Sequence, residues 1–395
     1  DELPNSDAAD GRGSELGSAE GAAPADADAD VAVGDDAEPS IFAMLGQIKQ
    51  RTGVSIHFNM TDYVRSSVVH YMTAAGLDKL GTATTPYPPE GSLHPCDDEV
   101  QGELMSNSCS CLMKDLWASR LSRPDLHRAI IRLTTRITKW SRNDDKRLKR
   151  LAEYLNGTAE SHQLECFTCD EPDDIELWLF VDADFAGDKE DTKSSTGGYV
   201  VLVGPNTWWP LTWVYQKQGA TARSTTEAET SAMAHCLVQE CYPVWDLLET
   251  DLGRKVVLRV KEDNQATIKV VRSGYSAKLA PMARTQKVDL GSLHEGLVEH
   301  NACVDYVESA KQAADVFTKD LAPSKWQHAI QMLGFDVGDS PSFMHTSVVG
   351  DPVEPGDSPG SSLAAICGEG GVPGHCPSNA PVVRNELPSR QPSIE

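Results

Sequence analysis

The 395-residue chain has no run of about 18 apolar residues and no signal-peptide pattern, which argues against a membrane partner and points to a reduced intracellular setting, cytoplasmic or nuclear. Its ten cysteines are scattered. Cys109-x-Cys111 and Cys166-x-x-Cys169 have the spacing of zinc half-sites, but they lie far apart and have no nearby histidine, so ordinary free thiols are expected. Bases are nearly missing from the first 40 positions, where twelve acids face Arg12 alone, a net charge of −11. Such a segment cannot bury enough apolar surface to offset its ordering entropy, so 1–40 is expected to be a disordered acidic head. From Asp336 to Glu395 no apolar period is sustained and Gly, Pro and Ser abound, so 336–395 reads as a disordered tail. The overall charge of −24 would by itself exclude a nucleic-acid partner, because phosphate binding draws on Lys and Arg. Charge is local here, however. Arg120 to Arg150 holds eleven bases against three acids, a net of +8.

Between head and tail the apolar pattern is helical at first. Ile41 to Gly53 has helical spacing and Val54 to Phe58 alternates as a short strand. Tyr63, Val64, Val68, Tyr71 and Met72 then mark a helix with Gly76 as its C-cap. Pro86, Pro88 and Pro89 make Thr82 to roughly Cys111 a loop. Leu126, Ile130, Leu133, Ile137 and Trp140 form one stripe of an amphipathic helix begun by Ser122 and Pro124, and Leu148, Leu151 and Leu155 continue a helix to Asn156 and Gly157. On a neighbouring stripe Arg128, Arg132 and Arg136 recur at every fourth position. Like charges so spaced repel. They imply either a solvated face or a surface that tracks phosphates and positions a duplex without reading its sequence.

From Leu177 the pattern changes to strands. LWLFVDADF, GGYVVLVG and TWWPLTWVY are rich in aromatic and β-branched residues and separated by glycines, as in a three-strand meander. A long helix from Thr225 to about Leu252, a strand (VVLRV), a short helix after Asp263, a strand (CVDYV) and a helix from Gln312 follow. The order β-β-β-α-β-α-β-α describes an α/β unit, a mixed five-stranded sheet with flanking helices.

Four acids fall where these elements end: Asp182, Glu229, Asp263 and Asp315. Cutting a phosphodiester requires charge neutralisation at the attacking and leaving oxygens, which two Mg2+ (or Mn2+) ions held by hard carboxylate oxygens supply. Asp182 shares a strand face with Trp178, Phe180 and Asp184, so Asp184 is an alternative ligand. Ser224-x-x-Glu227 and Thr226-x-x-Glu229 both fit a capping box. Glu229 has Met233, Cys236 and Leu237 on its face and is assigned to metal, whereas Glu227 has Ser231 and Ala234, faces water more readily and is assigned to the cap. Taken singly, Asp263 also fits a helix N-cap and Asp315 a surface acid in a first turn.

As an ordered set, VDADFAGD, SSTGGYVV, STTEAETSA, EDNQA and QAADVFTKDL followed by LGF resemble the ribonuclease H domain of copia-type retrotransposon polyproteins. SRPDLHRAIIRL with RLAEYLNGT resembles the connection segment before that domain, and MTDYVRSSVVHYM with TATTPYP the end of the reverse transcriptase region. The resemblance implies a ribonuclease H-like fold. It also implies that Asp182, Glu229, Asp263 and Asp315 are catalytic metal ligands and that the substrate is the RNA strand of RNA–DNA hybrids. The expected organisation is an acidic head (1–40), a small, mainly helical reverse transcriptase remnant and connection segment (41–160), a linker (161–173), the ribonuclease H domain (174–335) and the tail (336–395). Departures accompany the match. The adjacent aspartate pairs lie in polar contexts, so no polymerase palm and no reverse transcriptase activity are expected, and the chain reads as a truncated polyprotein. Where the family has R-T-K-H this chain has Arg284, Thr285, Gln286 and Lys287, and Thr230 stands where an aromatic is usual. Two other classes compete: a non-catalytic nucleic-acid-binding remnant, and an interaction protein built around the acidic head.

Overall fold

The structure, a computed structural model, describes residues 54–89, 91–187 and 191–335. The expected acidic head, the helix at Ile41 to Gly53 and the tail from Asp336 lie outside the described residues. Among the described residues, no helix is long and apolar enough to cross a membrane.

The meander forms as expected. β3 (Glu176–Asp184) pairs antiparallel with β4 (Ser195–Gly204), and β4 with β5 (Thr207–Lys217). The β4–β5 register shifts between Val200 and Val201, opposite Pro210 and Thr212. Pro210 cannot donate to a ladder, and the bulge accommodates it. On its other side β3 runs parallel to β6 (Leu258–Glu262), which runs parallel to β7 (Cys303–Tyr306). The order β5-β4-β3-β6-β7, with β4 antiparallel to its neighbours, is the ribonuclease H-like arrangement. The sheet has seven strands, not five. β2 (Leu164–Thr168) pairs with β5 and β1 (Val54–Phe58) pairs with β2, extending the sheet from the meander side. The segment 161–173 therefore carries a strand where a linker was expected. It pairs because Phe167 and Thr168 meet Trp208 and Thr207 across the ladder, with the Thr168 and Thr207 hydroxyls 2.9 Å apart.

Alternation along β3 buries both faces of the sheet. Leu177, Leu179 and Val181 join a core with α5 (Thr225–Cys236), α7 (Gln265–Ser273) and α9 (Leu290–Glu299). Trp178 and Phe180 join the other core, formed with α1 (Thr61–Ala75), α2 (Met105–Leu121), α3 (Pro124–Thr134), α4 (Arg142–Thr158), α10 (Asp315–Thr318) and α11 (Pro323–Met332). The helices of the connection region thus share one apolar cluster with the sheet. Polar contacts cross the same boundary: Trp213 Nε1 donates to Ser119 O at 2.8 Å and Trp326 Nε1 to Tyr154 Oη at 3.2 Å.

Several boundaries differ from expectation, each for a local reason. The single helix expected through Trp140 ends at Thr134. A 3-10 turn (Ile137–Lys139) follows, and α4 begins afresh because Ser141 and Asp144 form a reciprocal capping box. α2 starts at Met105, inside the expected loop, because the distant carboxylate of Asp145 accepts from Glu103 N (2.6 Å) and Leu104 N (3.1 Å). The long helix expected over Thr225 to Leu252 is interrupted by a π-helical turn (Leu237–Cys241) just before α6 (Tyr242–Leu252), whose second residue, Pro243, brings no N–H. The helix expected from Gln312 is reduced to the four residues of α10.

Two glycines let helices reach the sheet. A Cβ at Gly197 would lie 2.6 Å from Thr318 Cγ2 and 3.0 Å from Phe317 Cβ, and one at Gly198 would lie 2.6 Å from Cys236 Sγ on the opposite face. Gly197→Ala is therefore expected to lower unfolding stability by about 1–3 kcal/mol through overpacking. Gly219→Ala, where nothing lies within 4 Å of the new Cβ, should change stability by less than about 0.5 kcal/mol. Urea unfolding of the two variants checks this.

Candidate active site

Asp182 lies on β3, the strand between antiparallel β4 and parallel β6, and pairs in register with Gly197. Glu229 is carried by α5, just after its Ser224 N-cap. Asp263 follows β6 directly, where Asn264 takes the N-cap of α7 by accepting from Ala266 N (3.0 Å) and Thr267 N (3.2 Å). That leaves the Asp263 carboxylate out of the cap. Asp182 and Glu229 are buried and Asp263 half-buried, yet one carboxylate oxygen from each lies within 4.8 Å of the others. Asp315 opens α10 and joins through Lys319, whose Nζ is 2.6 Å from Asp315 Oδ1 and 3.3 Å from Asp182 Oδ1. The structure thus brings all four sequence-derived acids to one place, three as a tight group and the fourth across a lysine.

Hydroxyls orient the carboxylates. Thr318 Oγ1 donates to Asp182 Oδ2, and Ser309 Oγ donates to Asp263 Oδ2 at 2.8 Å. Burial pushes the Asp182 carboxyl up, against the pull of Lys319 and Thr318. Burial, then the charges of Glu262, Asp182 and Asp263, raise Glu229. Burial and Asp182 push Asp315 up to about 6 despite Lys319.

A fifth acid, Glu262, was not singled out from sequence. β6 ends two residues later than the VVLRV segment, and alternation in LRVKE sets Leu258, Val260 and Glu262 on one face. Glu262 is 0% exposed. Its Oε1 accepts from Asn264 N at 3.0 Å, while its Oε2, like Glu229 Oε2, has no hydrogen-bond partner among the described residues. Burial and the neighbouring acids drive its carboxyl well above the usual range. The alternation was a readable signal for this residue.

Glu227 takes part in the cap as expected: its N–H donates to the Oγ of the N-cap Ser224 (3.2 Å), and its Oε2 accepts from Arg223 N (2.9 Å), one residue before the cap. It is buried, however, not water-facing, because Gln286 Nε2 reaches its Oε1 at 3.4 Å from across the fold. Gln286 and Lys287, two of the departures from the family pattern, line a cleft of about 710 Å³ with Thr196, Gln218, His235 and Tyr242. None of the four acids lines that cleft. Asp184 is half-buried and stands outside the tight group, under the charges of Arg128 and Arg132.

The arginine stripe requires correction. Arg128 is buried: it pairs with Asp320 and lies over the rings of Tyr87 (5.1 Å) and Tyr215 (5.9 Å). Arg132 Nη1 reaches Asp320 Oδ2 at 3.1 Å and keeps a 44% exposed side chain. Arg136 lies past the end of α3 and donates through Nε to Asp144 Oδ1 at 2.6 Å. Internal carboxylates, not a continuous solvent-facing phosphate track, answer the crowding of these bases. The cysteines at 109, 111, 166 and 169 are free thiols.

No protein-family model matches the chain. Over 216 residues, 54% of the chain, it is 29% identical to the retrovirus-related Pol polyprotein from transposon RE1 of Arabidopsis thaliana and 28% identical to that from transposon RE2 of the same plant. Over 221 residues it is 25% identical to the Pol polyprotein from transposon TNT 1-94 of Nicotiana tabacum. These similarities bear out the resemblance to copia-type retrotransposon polyproteins. The chain covers 14% to 16% of the length of these relatives. Among solved structures, RNase H1 from the archaeon Halobacterium salinarum is 15% identical with a TM-score of 0.25, covering 36% of this chain and 94% of that one. LC11-RNase H1 from compost is 16% identical with a TM-score of 0.27, covering 36% and 92%.

Because the folded Asp315 holds its proton to about pH 6, against about 3.9 for a free aspartate, the folded state binds more protons than the unfolded state between these values. Stability from this group is therefore present at low pH and falls as pH rises through 6, by at most about 3 kcal/mol. In metal-free protein the drop in melting temperature between pH 4 and about 7 is expected to be smaller in Asp315→Asn than in the unaltered chain. Thermal melts across that range check it.

Proposed function

We propose that the chain carries a ribonuclease H-type endonuclease that hydrolyses the RNA strand of RNA–DNA hybrids, with Asp182, Glu229, Asp263 and Asp315 as catalytic metal ligands. The observation that carries this reading is the convergence of Asp182, Glu229 and Asp263, from three separate elements, to within 4.8 Å. A donor set made only of carboxylate oxygens suits Mg2+ or Mn2+, and the buried Glu229 Oε2 that lacks a described partner fits a bound cation. When bound, two such ions supply charge stabilisation at the attacking and leaving oxygens of the phosphodiester.

The chain's own residues prepare that chemistry. Thr318 and Ser309 fix the rotamers of Asp182 and Asp263 by donating to one oxygen of each. Asn264 takes the capping duty that would otherwise occupy Asp263. Glu262, whose charge raises the Glu229 carboxyl, increases the gain from placing a cation beside the pair. Hybrid recognition through A-form shape and 2′-hydroxyls asks for few base contacts. Of the three arginines assigned to the nucleic acid, the exposed side chain of Arg132 supports a backbone contact best, while Arg128 and Arg136 act through Asp320 and Asp144.

The purified chain should cut the RNA strand of an end-labelled hybrid in Mg2+ or Mn2+. Asp182→Asn should lower the rate by at least about 10³-fold, the loss of about 4 kcal/mol of transition-state stabilisation. Tight hybrid binding with no metal-dependent cuts would instead assign the chain to a binding-only remnant.

A further inference from the structure

A lysine stands inside the acid cluster. Lys319 Nζ makes contacts of 2.6 Å to Asp315 Oδ1 and 3.3 Å to Asp182 Oδ1, so a full positive charge already touches two of the four carboxylates. The segment that carries it is short. Asp315 opens α10 and Lys319 is its C-cap, four residues on, and Thr318 between them donates to the other oxygen of Asp182. Burial works against the charge on Lys319, but Asp182, Asp315 and Asp263 more than offset it. In turn its charge opposes the rise in the carboxyls of Asp182, Glu229, Glu262 and Asp315. Its side chain is 40% exposed, so it is not enclosed by the cluster.

We infer that Lys319 is a built-in counter-ion, holding Asp182 and Asp315 together in the metal-free protein and competing with a divalent cation for their oxygens. This rests on the metal-binding reading above. A divalent cation draws its oxygen ligands to about 2.0–2.1 Å in the case of Mg2+, and an ammonium cannot stay on the same two oxygens beside it without strong like-charge repulsion. The lysine stem can carry its head outward, because four flexible carbons and a compact, strongly hydrated charge suit displacement in a way that a planar guanidinium fork does not. The lysine therefore limits the repulsion among the acids before the ion arrives and gives up its place when the ion binds.

The test uses the full chain stripped of metal, without nucleic acid. Mn2+ is titrated by calorimetry into the unaltered chain, Lys319→Gln and Lys319→Arg. Lys319→Gln should bind Mn2+ at least about tenfold more tightly, since the competing charge is gone, whereas Lys319→Arg, which keeps the charge on a less readily displaced guanidinium, should bind it no more tightly than the unaltered chain. If Lys319→Gln is unfolded without metal, recovery of its circular dichroism on adding Mn2+ supports the same conclusion. Equal or weaker Mn2+ affinity in Lys319→Gln, or an unfolded variant that Mn2+ does not restore, overturns it. A chain that follows this pattern yet leaves hybrids uncut overturns the nuclease reading alone; a chain that cuts hybrids while Lys319→Gln keeps the unaltered Mn2+ affinity overturns the counter-ion alone.

Discussion

At Gly197 the missing side chain lets α10 settle directly on the sheet, and three electrostatic arrangements depend on that approach. The nearest atoms belong to Thr318 and Phe317. Once they are seated, Thr318 reaches Asp182, Lys319 bridges Asp182 and Asp315, and Asp320 is delivered to Arg128 and Arg132. A single short-range packing constraint therefore brings Asp315 and Lys319 to the acid cluster and Asp320 to α3. It also explains why a helix of only four residues holds its position: α10 is pinned by buried Val316 and Phe317 against the sheet, not by its own hydrogen bonds.

The cluster works against folding. Five carboxyls stand close together, and burial and the neighbouring acids push those of Asp182, Glu229, Glu262 and Asp315 upward. Two buried carboxylate oxygens have no hydrogen-bond partner among the described residues, a condition that costs about 1–3 kcal/mol each and more when charged. In the core around Arg123 buried charge is paired, although Asp115, whose carboxylate accepts from Ser67, is also pushed up by burial, to about 7. Arg123 donates through Nε and Nη2 to Asp125, and Tyr154 Oη donates to the same carboxylate at 2.8 Å. Where the acids converge, charge is left imperfectly compensated, which the proposed metal ions would relieve.

Much of the α/β unit was legible because its signals are local. Strand alternation in LWLFVDADF, the glycines of SSTGGYVV and the face of α5 bearing Met233 and Cys236 each follow from side-chain periodicity, and with them came Asp182 and Glu229. What escaped depends on distant partners. The start of α2 is set by Asp145, 41 and 42 positions away from the N–H groups it caps, and β2 pairs only because β5 offers Trp208 and Thr207. The arginine periodicity was read correctly as an energetic problem, but Asp320, which relieves it at Arg128 and Arg132, lies 192 and 188 residues further on. Glu262 is different: alternation within β6 carried the information, and ending the strand at Val260 concealed it.

The strand inside the segment 161–173 changes how the chain can be divided. β5 has β4 on one side and β2 on the other, and β2 is in turn covered by β1. A fragment begun at Asp174, where the family pattern alone would place the catalytic unit, would uncover the ladder groups of β5 around Thr207 and Trp208 and the apolar face that the connection helices bury. Such an exposed edge is a template for pairing with other chains. Cut from the elements that precede Asp174, the sheet would therefore be expected to stick to copies of itself.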